Sequence, residues 1–243
     1  MIVDTVYRKE LNMDKSNNEL DTMGIIKMPV FKLSPSSLNL IEECPRCFWL
    51  DKHKVWKRPS GIFPSLPSGM DKVLKEHFDN FMKKGILPPE LKKNGIDDSY
   101  KLFDDVELLE VWRNNRKGIR WEDNDRNVFY GAVDNILVKG KKLIVLDYKT
   151  RGFPLKEDTA EKYQNQLNTY NFLLRKNNHE TEDYAYLLFY YPNKVHENGD
   201  VDFHAELVKM KINVEDAEKI FKKAIRLLNE DCPQKTCEWC EGR

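Results

Sequence analysis

The order of the elements predicted along this chain indicates an α/β fold, in which a mixed β-sheet is flanked by helices. A helical segment over about residues 34–114 is followed by two strands, a helix, two further strands and a last helix. Strands and helices in this order form a core sheet with the helices packed on it. The chain has 243 residues, 40% of them hydrophobic, which is enough for one large domain or two small ones.

The first part of the chain is predicted to hold a short extension and then the start of a single domain. Residues 1–28 are polar and have no clear period, so we expect a polar N-terminal extension, and the domain is predicted over residues 29–243. Its first helix begins at Ser34, a residue type that caps helices well, and Pro35 suits the first helical position. A second helix, over about residues 70–83, carries apolar residues on one stripe.

The core sheet is predicted over about residues 127–212, and a C-terminal part with a helix and cysteines follows over about 214–243. Lys139 and Gly140 form a tight-turn pair between the first two strands. In chain order, we predict a short helix over about 104–114, strands over 127–138 and 142–149, a helix over 156–175, strands over 183–191 and 201–212, and a helix over 214–229.

Charge and hydropathy exclude a membrane-spanning protein but leave nucleic-acid binding open. Lys and Arg together number 40, as do Asp and Glu, so the net charge gives no sign of a nucleic-acid partner. A local basic channel can exist within a neutral total, and residues 52–58 hold a basic cluster around Trp56. The longest apolar run, from Tyr184 to Tyr191, is too short to cross a bilayer, and the N-terminus lacks the layout of a signal peptide. We therefore expect a cytoplasmic protein with no membrane partner.

Three charged residues on two adjacent predicted strands are the first candidates for chemistry. Asp147 and Lys149 end an apolar strand and point to the same face, because side chains two apart in a strand do so. Asp134 lies on the neighbouring strand, where its carboxylate could meet that of Asp147. Charge at the end of a buried strand is costly unless it is compensated, and carboxylates bind Mg²⁺ or Mn²⁺. A metal beside a lysine suggests phosphodiester chemistry, whereas a surface salt bridge is the simpler alternative.

Three polar residues on predicted helices could join this site. His77 lies on or beside the apolar stripe of the helix over 70–83, where a histidine can be a metal ligand or a part of the core. Gln166 and Tyr170 are four apart, so they share one face of the helix that follows the strand with Lys149. They could reach a DNA phosphate or the lysine, or they could form the edge of a core stripe.

The order of these motifs resembles that of the PD-(D/E)XK nuclease superfamily, and in particular its RecB-type nuclease domain, a branch that includes the CRISPR-adaptation exonucleases. The resemblance covers about residues 33–240. The motifs that carry it are, in chain order, Ser34-x-Ser-x-Leu, Cys44-Pro-Arg-x-Phe-x-Leu50, His77, Gly-x-x-Asp134, Asp147-Tyr148-Lys149 and Gln166-x-x-x-Tyr170. Each motif is weak alone, but their order and spacing together indicate the family.

This resemblance implies a restriction-endonuclease-like core with an active site on its sheet. By matching position, it assigns a divalent ion, Mg²⁺ or Mn²⁺, to His77, Asp134, Asp147 and the backbone carbonyl of Tyr148. It also implies three catalytic side chains, those of Lys149, Gln166 and Tyr170. Asp147 stands where many members of the superfamily have Glu, and the shorter acid is common in this branch.

The function implied is that of a metal-dependent nuclease that hydrolyses DNA phosphodiester bonds, as an exonuclease on single strands or free ends. Repair, CRISPR adaptation and defence are all open as its pathway, with a helicase or a CRISPR or repair protein as partner. One alternative is a non-catalytic nucleic-acid-binding or adaptor subunit that keeps the nuclease fold. Another is a structural zinc protein in which the Asp-x-Lys motif is incidental.

Five cysteines predict a second metal centre, because two pairs have the C-x-x-C spacing that chelates one metal. The pairs are Cys44 with Cys47 and Cys237 with Cys240, and Cys232 is the fifth thiol. The ligands could be both pairs, or Cys44 with the last three cysteines. The resemblance to iron–sulfur nucleases implies a 4Fe-4S cluster, while four thiolates also suit Zn²⁺. Either centre would act as a staple between the N- and C-terminal parts of the fold.

Overall fold

Two β-sheets occur in the part of the chain that the structure, a computed structural model, describes, namely residues 29–61 and 64–243. The strands are β1 (Lys32–Leu33), β2 (Tyr100–Leu102), β3 (Ile119–Glu122), β4 (Val128–Gly131), β5 (Asn135–Lys139), β6 (Lys142–Thr150), β7 (Tyr184–Val195) and β8 (Val201–Lys211). Five strands form the larger sheet in the order β2-β5-β6-β7-β8, and three form the smaller sheet in the order β1-β4-β3. Each sheet is mixed, because β6 and β7 are parallel in the first and β1 and β4 are parallel in the second, while their other pairs are antiparallel.

Helices flank both sheets. They are α1 (Pro35–Glu43), α2 (Pro45–Lys52), α3 (Ser65–Lys83), α4 (Pro89–Lys93), α5 (Val106–Arg113), α6 (Gln164–Lys176) and α7 (Val214–Leu228). Helix α3 packs on β6, while α6 contacts β3 and β4 of the smaller sheet and β6 of the larger one. Helix α6 therefore joins the two sheets, and residues 32–243 form one compact unit.

The central strands of the larger sheet are apolar because both of their faces are covered. Strand β6 is buried without interruption over residues 143–148, and β7 over residues 185–190. Continuous apolar runs of this kind, rather than alternation, are typical of strands with helices on one face and other elements on the opposite face. Asp147 is the one charged residue in the buried run of β6, so its burial requires compensation.

The smaller sheet is held against the helices by aromatic side chains. Phe129 of β4 stacks on Phe221 of α7, with ring centres 4.8 Å apart. Trp121 of β3 meets Phe172 of α6 edge to face, at 5.2 Å. Offset and edge-to-face pairs of large rings bury much apolar area, so this cluster fixes α6 and α7 on the sheet.

The predicted α/β class and its flanking helices are confirmed, with differences in the elements. The strand predicted over 127–138 is two strands, because residues 132–134 carry the chain from the smaller sheet into the larger one. The helix predicted to start near Lys156 begins only at Gln164. Near Lys156, the Thr159 hydroxyl accepts a hydrogen bond from the backbone N–H of Lys156. This bond forms a local turn, which competes with a helix. The polar extension predicted over 1–28 lies outside the described residues.

Candidate active site

Asp134 and Asp147 meet where β5 begins beside β6. Asn135 pairs with Leu146 in this antiparallel pair, so extending the register by one residue places Asp134 opposite Asp147. Asp134 Oδ2 also accepts a hydrogen bond of 2.9 Å from the backbone N–H of Tyr148. The two predicted carboxylates are therefore neighbours on adjacent strands.

Asp147 is the more buried of the two aspartates, with 1% of its surface exposed. Lys149 Nζ lies 2.5 Å from Asp147 Oδ2 and forms a hydrogen-bonded ion pair with it. Burial raises the pKa of Asp147 to about 7, while Lys149 opposes the rise and the negative charge of Asp134 adds to it. An ionised Asp147 therefore gains from a further positive charge, which a divalent cation would supply.

Lys149 is held by contacts that run from β6 to α6. Burial alone would lower the pKa of Lys149, but the Asp147 carboxylate raises it above its usual value, so the ammonium stays charged. Its Nζ donates to Gln166 Oε1 at 3.0 Å and lies 4.5 Å from the centre of the Tyr163 ring. Gln166 Nε2 donates in turn to the hydroxyl of Tyr170 at 2.7 Å. The three side chains predicted to be catalytic are thus in direct contact.

Tyr170 is fixed in place by the backbone of Gly131. A Cβ at this glycine would lie 2.6 Å from Tyr170 Cε1 and 2.8 Å from Cδ1, distances that carbon atoms do not adopt. Burial raises the pKa of Tyr170 well above its usual value, and the negative charge of Asp147 adds to this, so the hydroxyl stays protonated. The glycine of the Gly-x-x-Asp motif therefore makes room for a ring that supports Gln166.

Helix α3 brings a lysine to the aspartates, a residue that the sequence analysis missed. Lys75 Nζ lies 3.2 Å from Asp134 Oδ1 and 2.8 Å from a carboxylate oxygen of Asp71. Burial would lower the pKa of Lys75, but these two carboxylates raise it above its usual value. The spacing of Asp71 and Lys75 could have indicated this contact, because residues four positions apart lie on one face of a helix.

His77 does not join the aspartates. Its Nε2 is hydrogen-bonded to Glu90 Oε1 at 2.8 Å, and the Tyr190 hydroxyl donates to the same oxygen at 2.9 Å. Positions 75 and 77 are about 200° apart around a helix, so when Lys75 faces Asp134 the histidine faces away. In this arrangement His77 contacts Glu90, and its role as a metal ligand stays a prediction.

Arg113 of α5 holds the backbone at Asp134. Its Nε donates to the carbonyl oxygen of Asp134 at 2.7 Å, and its Nη1 lies 2.7 Å from Asp79 Oδ1. Asp79 is one turn after Lys75 on α3, so the same helix face contacts the aspartate both directly and through Arg113. The segment between β4 and β5 is therefore tethered from two helices.

The donor atoms around Asp134 and Asp147 fit a hard divalent cation such as Mg²⁺ or Mn²⁺. Ions of this type bind carboxylate and carbonyl oxygens and keep several waters. Two carboxylates lie side by side here, and that of Asp147 is almost fully buried. Asp71 lies beside them, on the other side of Lys75. These residues could hold the ion next to the ammonium of Lys149.

Four of the five cysteines form a second cluster, where the start of α2 meets the C-terminal segment. Their Sγ atoms all lie within 4.8 Å of one another and belong to Cys44, Cys47, Cys237 and Cys240. The fifth thiol, that of Cys232, instead accepts a hydrogen bond from Arg46 Nη1 at 3.4 Å. The cysteines predicted to staple the N- and C-terminal parts are therefore clustered, and they could hold a metal.

No helix among the described residues is both long and apolar enough to cross a membrane.

Comparison with known proteins indicates the family to which this chain belongs. A search of curated proteins found no match to the chain. A family model described as the PD-(D/E)XK nuclease superfamily matches residues 32–243. Because the match extends over both sheets and every helix given above, the chain belongs to the PD-(D/E)XK nuclease superfamily, whose members are usually nucleases that cut phosphodiester bonds.

Proposed function

We propose that this protein is a metal-dependent deoxyribonuclease that hydrolyses phosphodiester bonds in DNA. The observation that carries the proposal is the convergence of Asp134 and Asp147 beside the ammonium of Lys149. Two carboxylates can bind a catalytic ion, and a neighbouring cation can stabilise the charge that develops on a phosphate. Membership of the nuclease superfamily supports the same class of reaction.

Each residue of the site has a proposed task. Asp134, Asp147 and the backbone carbonyl of Tyr148 hold the ion. When bound, Mg²⁺ or Mn²⁺ supplies Lewis acidity toward water and phosphate. Lys149 stabilises negative charge on the phosphate oxygens and orients the attacking water, and both tasks need a charged ammonium. The Asp147 carboxylate favours that charged form.

Gln166 and Tyr170 act on Lys149 in this proposal. The Gln166 carbonyl oxygen accepts from Lys149 Nζ, and the Gln166 amide donates to Tyr170, so the tyrosine fixes which end of the amide faces the lysine. A lysine side chain has several rotatable bonds, and its contribution to a transition state depends on where its nitrogen is held. The pair therefore aims the ammonium at the reacting phosphate.

A cavity beside these residues is the path that we propose for the DNA strand. It has a volume of about 280 Å³ and is lined in part by Gln166 and Tyr170. Ser34, Ser36 and Asn115 add polar groups to the same wall. Ser34 caps α1, and the N-terminal end of a helix attracts anions such as phosphate. A strand in this cavity would present its backbone to Lys149.

Single strands and free ends are the substrates that we propose, with exonuclease action. Support for this finer assignment comes from the order of motifs, which resembles that of the RecB-type branch. Repair, CRISPR adaptation and defence are all processes in which such an enzyme acts with a helicase or with a CRISPR or repair protein. A partner of this kind would supply the free ends.

The test is a nuclease assay on end-labelled single- and double-stranded DNA with Mn²⁺ or Mg²⁺. Lys149→Ala and Asp147→Asn should each lower the cleavage rate on the order of 100-fold or more, as loss of one charge-stabilising group does in other enzymes. Lys141→Ala is the matched control, because Lys141 is exposed at the opposite end of the β5–β6 hairpin. Parental cleavage by both site variants would overturn the proposal.

A non-catalytic adaptor is the second candidate, and one contact favours it. Lys75 already neutralises Asp134, so the site is partly satisfied without a metal ion. Titration calorimetry with Mn²⁺ separates the two functions, because a nuclease should bind the ion at a site that Asp134→Asn removes. DNA binding without such a metal site and without cleavage would favour the adaptor.

A further inference from the structure

The spacing of the four cysteine sulfurs carries information about the metal centre that they form. Cys44 Sγ lies 3.9 Å from Cys240 Sγ, and Cys47 Sγ lies 3.5 Å from Cys237 Sγ. Within the second C-x-x-C pair, Cys237 Sγ and Cys240 Sγ are 3.8 Å apart. No two of the four sulfurs are farther apart than 4.8 Å. All of these distances are far longer than the roughly 2.0 Å of a disulfide bond.

Four thiolates around a single zinc ion have this spacing. The Zn–S bond is about 2.3 Å, and the edge of a tetrahedron is about 1.63 times the distance from its centre to a corner, so neighbouring sulfurs should be about 3.8 Å apart. The three sulfur–sulfur distances of 3.5, 3.8 and 3.9 Å lie around that value. One ion of this size therefore fits at the centre of the cluster.

A 4Fe-4S cluster does not fit the same four sulfurs. In such a cluster each thiolate binds a different iron atom, and the iron and sulfide atoms occupy the space between the thiolates. The ligand sulfurs must then be much farther apart than they are around one ion. Here every sulfur lies within 4.8 Å of the other three, which leaves no room for a cube of eight atoms.

We infer that Cys44, Cys47, Cys237 and Cys240 bind one structural Zn²⁺ ion. A closed site of four cysteines is typical of structural zinc, which has no redox chemistry and no empty position for a substrate. Zinc is also favoured over ferrous iron in a site of this kind, because Fe²⁺ lies near the weak end of the order of divalent affinities. This centre is distinct from the carboxylate site and does not depend on the proposed nuclease activity.

Groups that can offset negative charge lie around the cluster. Arg58 Nη2 lies 3.7 Å from Cys237 Sγ, and the backbone N–H of Cys237 donates to Cys240 Sγ at 3.3 Å. Cys44 is the N-cap of α2 and Cys47 lies in its first turn, at the end of the helix that stabilises negative charge. A zinc ion with four thiolates carries two net negative charges. The Arg58 guanidinium, the Cys237 N–H and the start of α2 lie where they offset this charge.

Metal content of the full-length protein tests this inference. The protein is purified without oxygen from cells grown with both iron and zinc, and its metals are measured by mass spectrometry. We expect one zinc per chain and a colourless sample. Four irons with sulfide and absorbance at about 400 nm would overturn the inference, since iron–sulfur centres absorb there. A single iron per chain would also overturn it.

A pair of cysteine variants tests the ligand set. Cys47→Ser should lower the zinc content to well below one per chain, whereas Cys232→Ser should keep one zinc, because its sulfur lies outside the cluster. Loss of zinc from Cys232→Ser, with retention in Cys47→Ser, would refute this assignment. If Cys47→Ser fails to fold, the zinc content of Cys232→Ser still decides between the two sets of ligands.

Discussion

Adding one methyl group at Gly131 should impair the nuclease by moving Tyr170. The new Cβ would lie 2.6 Å from Tyr170 Cε1, whereas carbon atoms in contact are about 3.5–4.0 Å apart, so the ring must move by roughly 1 Å. A shift of this size can stretch the 2.7 Å hydrogen bond from Gln166 out of hydrogen-bonding range. Overpacking a buried site costs about 1–3 kcal/mol of folding free energy. A misplacement of about 1 Å that reaches Lys149 costs on the order of 100-fold in rate.

Unfolding in urea and cleavage of end-labelled DNA measure the two effects separately. Gly152→Ala is the control, because no atom lies within 4 Å of the position of its Cβ, and it should behave like the parent. Tyr170→Phe removes the hydroxyl without crowding, so it should slow cleavage with a smaller loss of stability. If folded Gly131→Ala cuts DNA at the parental rate, the contact between Gln166 and Tyr170 does not support catalysis and the reasoning fails.

Three further predictions concern the metal sites and their charges. In a buffer without Mg²⁺ or Mn²⁺, the parent should lose stability as the pH rises from about 4 to 7, with a slope of up to about 1.4 kcal/mol per pH unit, because burial raises the pKa of Asp147 from 3.8 to about 7. Asp147→Asn should remove this slope, and equal slopes in thermal unfolding would contradict the buried carboxyl. Lys75→Met should tighten Mn²⁺ binding in calorimetry, because the ammonium that competes for Asp134 is gone; unchanged affinity would show that it does not compete. Removal of zinc by a strong chelator should lower the melting temperature, and excess Mg²⁺ should not restore it. An unchanged melting temperature would show that the cysteines hold no structural metal.

The chemistry on the sheet could be predicted from the sequence because strands and helices have fixed periods. Asp147 and Lys149 are two apart in a strand, so they had to share a face, and the structure has them in contact. Gln166 and Tyr170 are four apart in a helix, and their side chains are hydrogen-bonded. Short-range spacing was sufficient in both cases.

The rotation of α3 about its axis, which determines the face turned toward the sheet, could not be predicted in the same way. Its apolar stripe allowed either Lys75 or His77 to lie toward the sheet, and the choice depends on the partners that each finds in three dimensions. Asp134 pairs with the lysine, and Glu90 of α4 pairs with the histidine. Both partners are distant in sequence, so no local pattern contains the answer.

The small strands were missed for a different reason. Strands β1, β2 and β3 have two, three and four residues, which is too short for a period to be visible. They exist because neighbouring strands offer an edge, as β4 does for the first and third. The pairing itself, rather than local propensity, makes them strands.

Zinc at the cysteine cluster and Mg²⁺ or Mn²⁺ at the carboxylates would have different consequences in a cell. Cys47 and Cys237 are 190 positions apart, so a zinc ion between them closes almost the whole chain into a ring. By the entropy of the unfolded chain, a cross-link over a loop of this length is worth about 5 kcal/mol. That is comparable with the entire net stability of many domains, about 5–15 kcal/mol. Magnesium or manganese would then determine whether the enzyme cuts, while the zinc supply during synthesis would determine how long each molecule survives proteolysis.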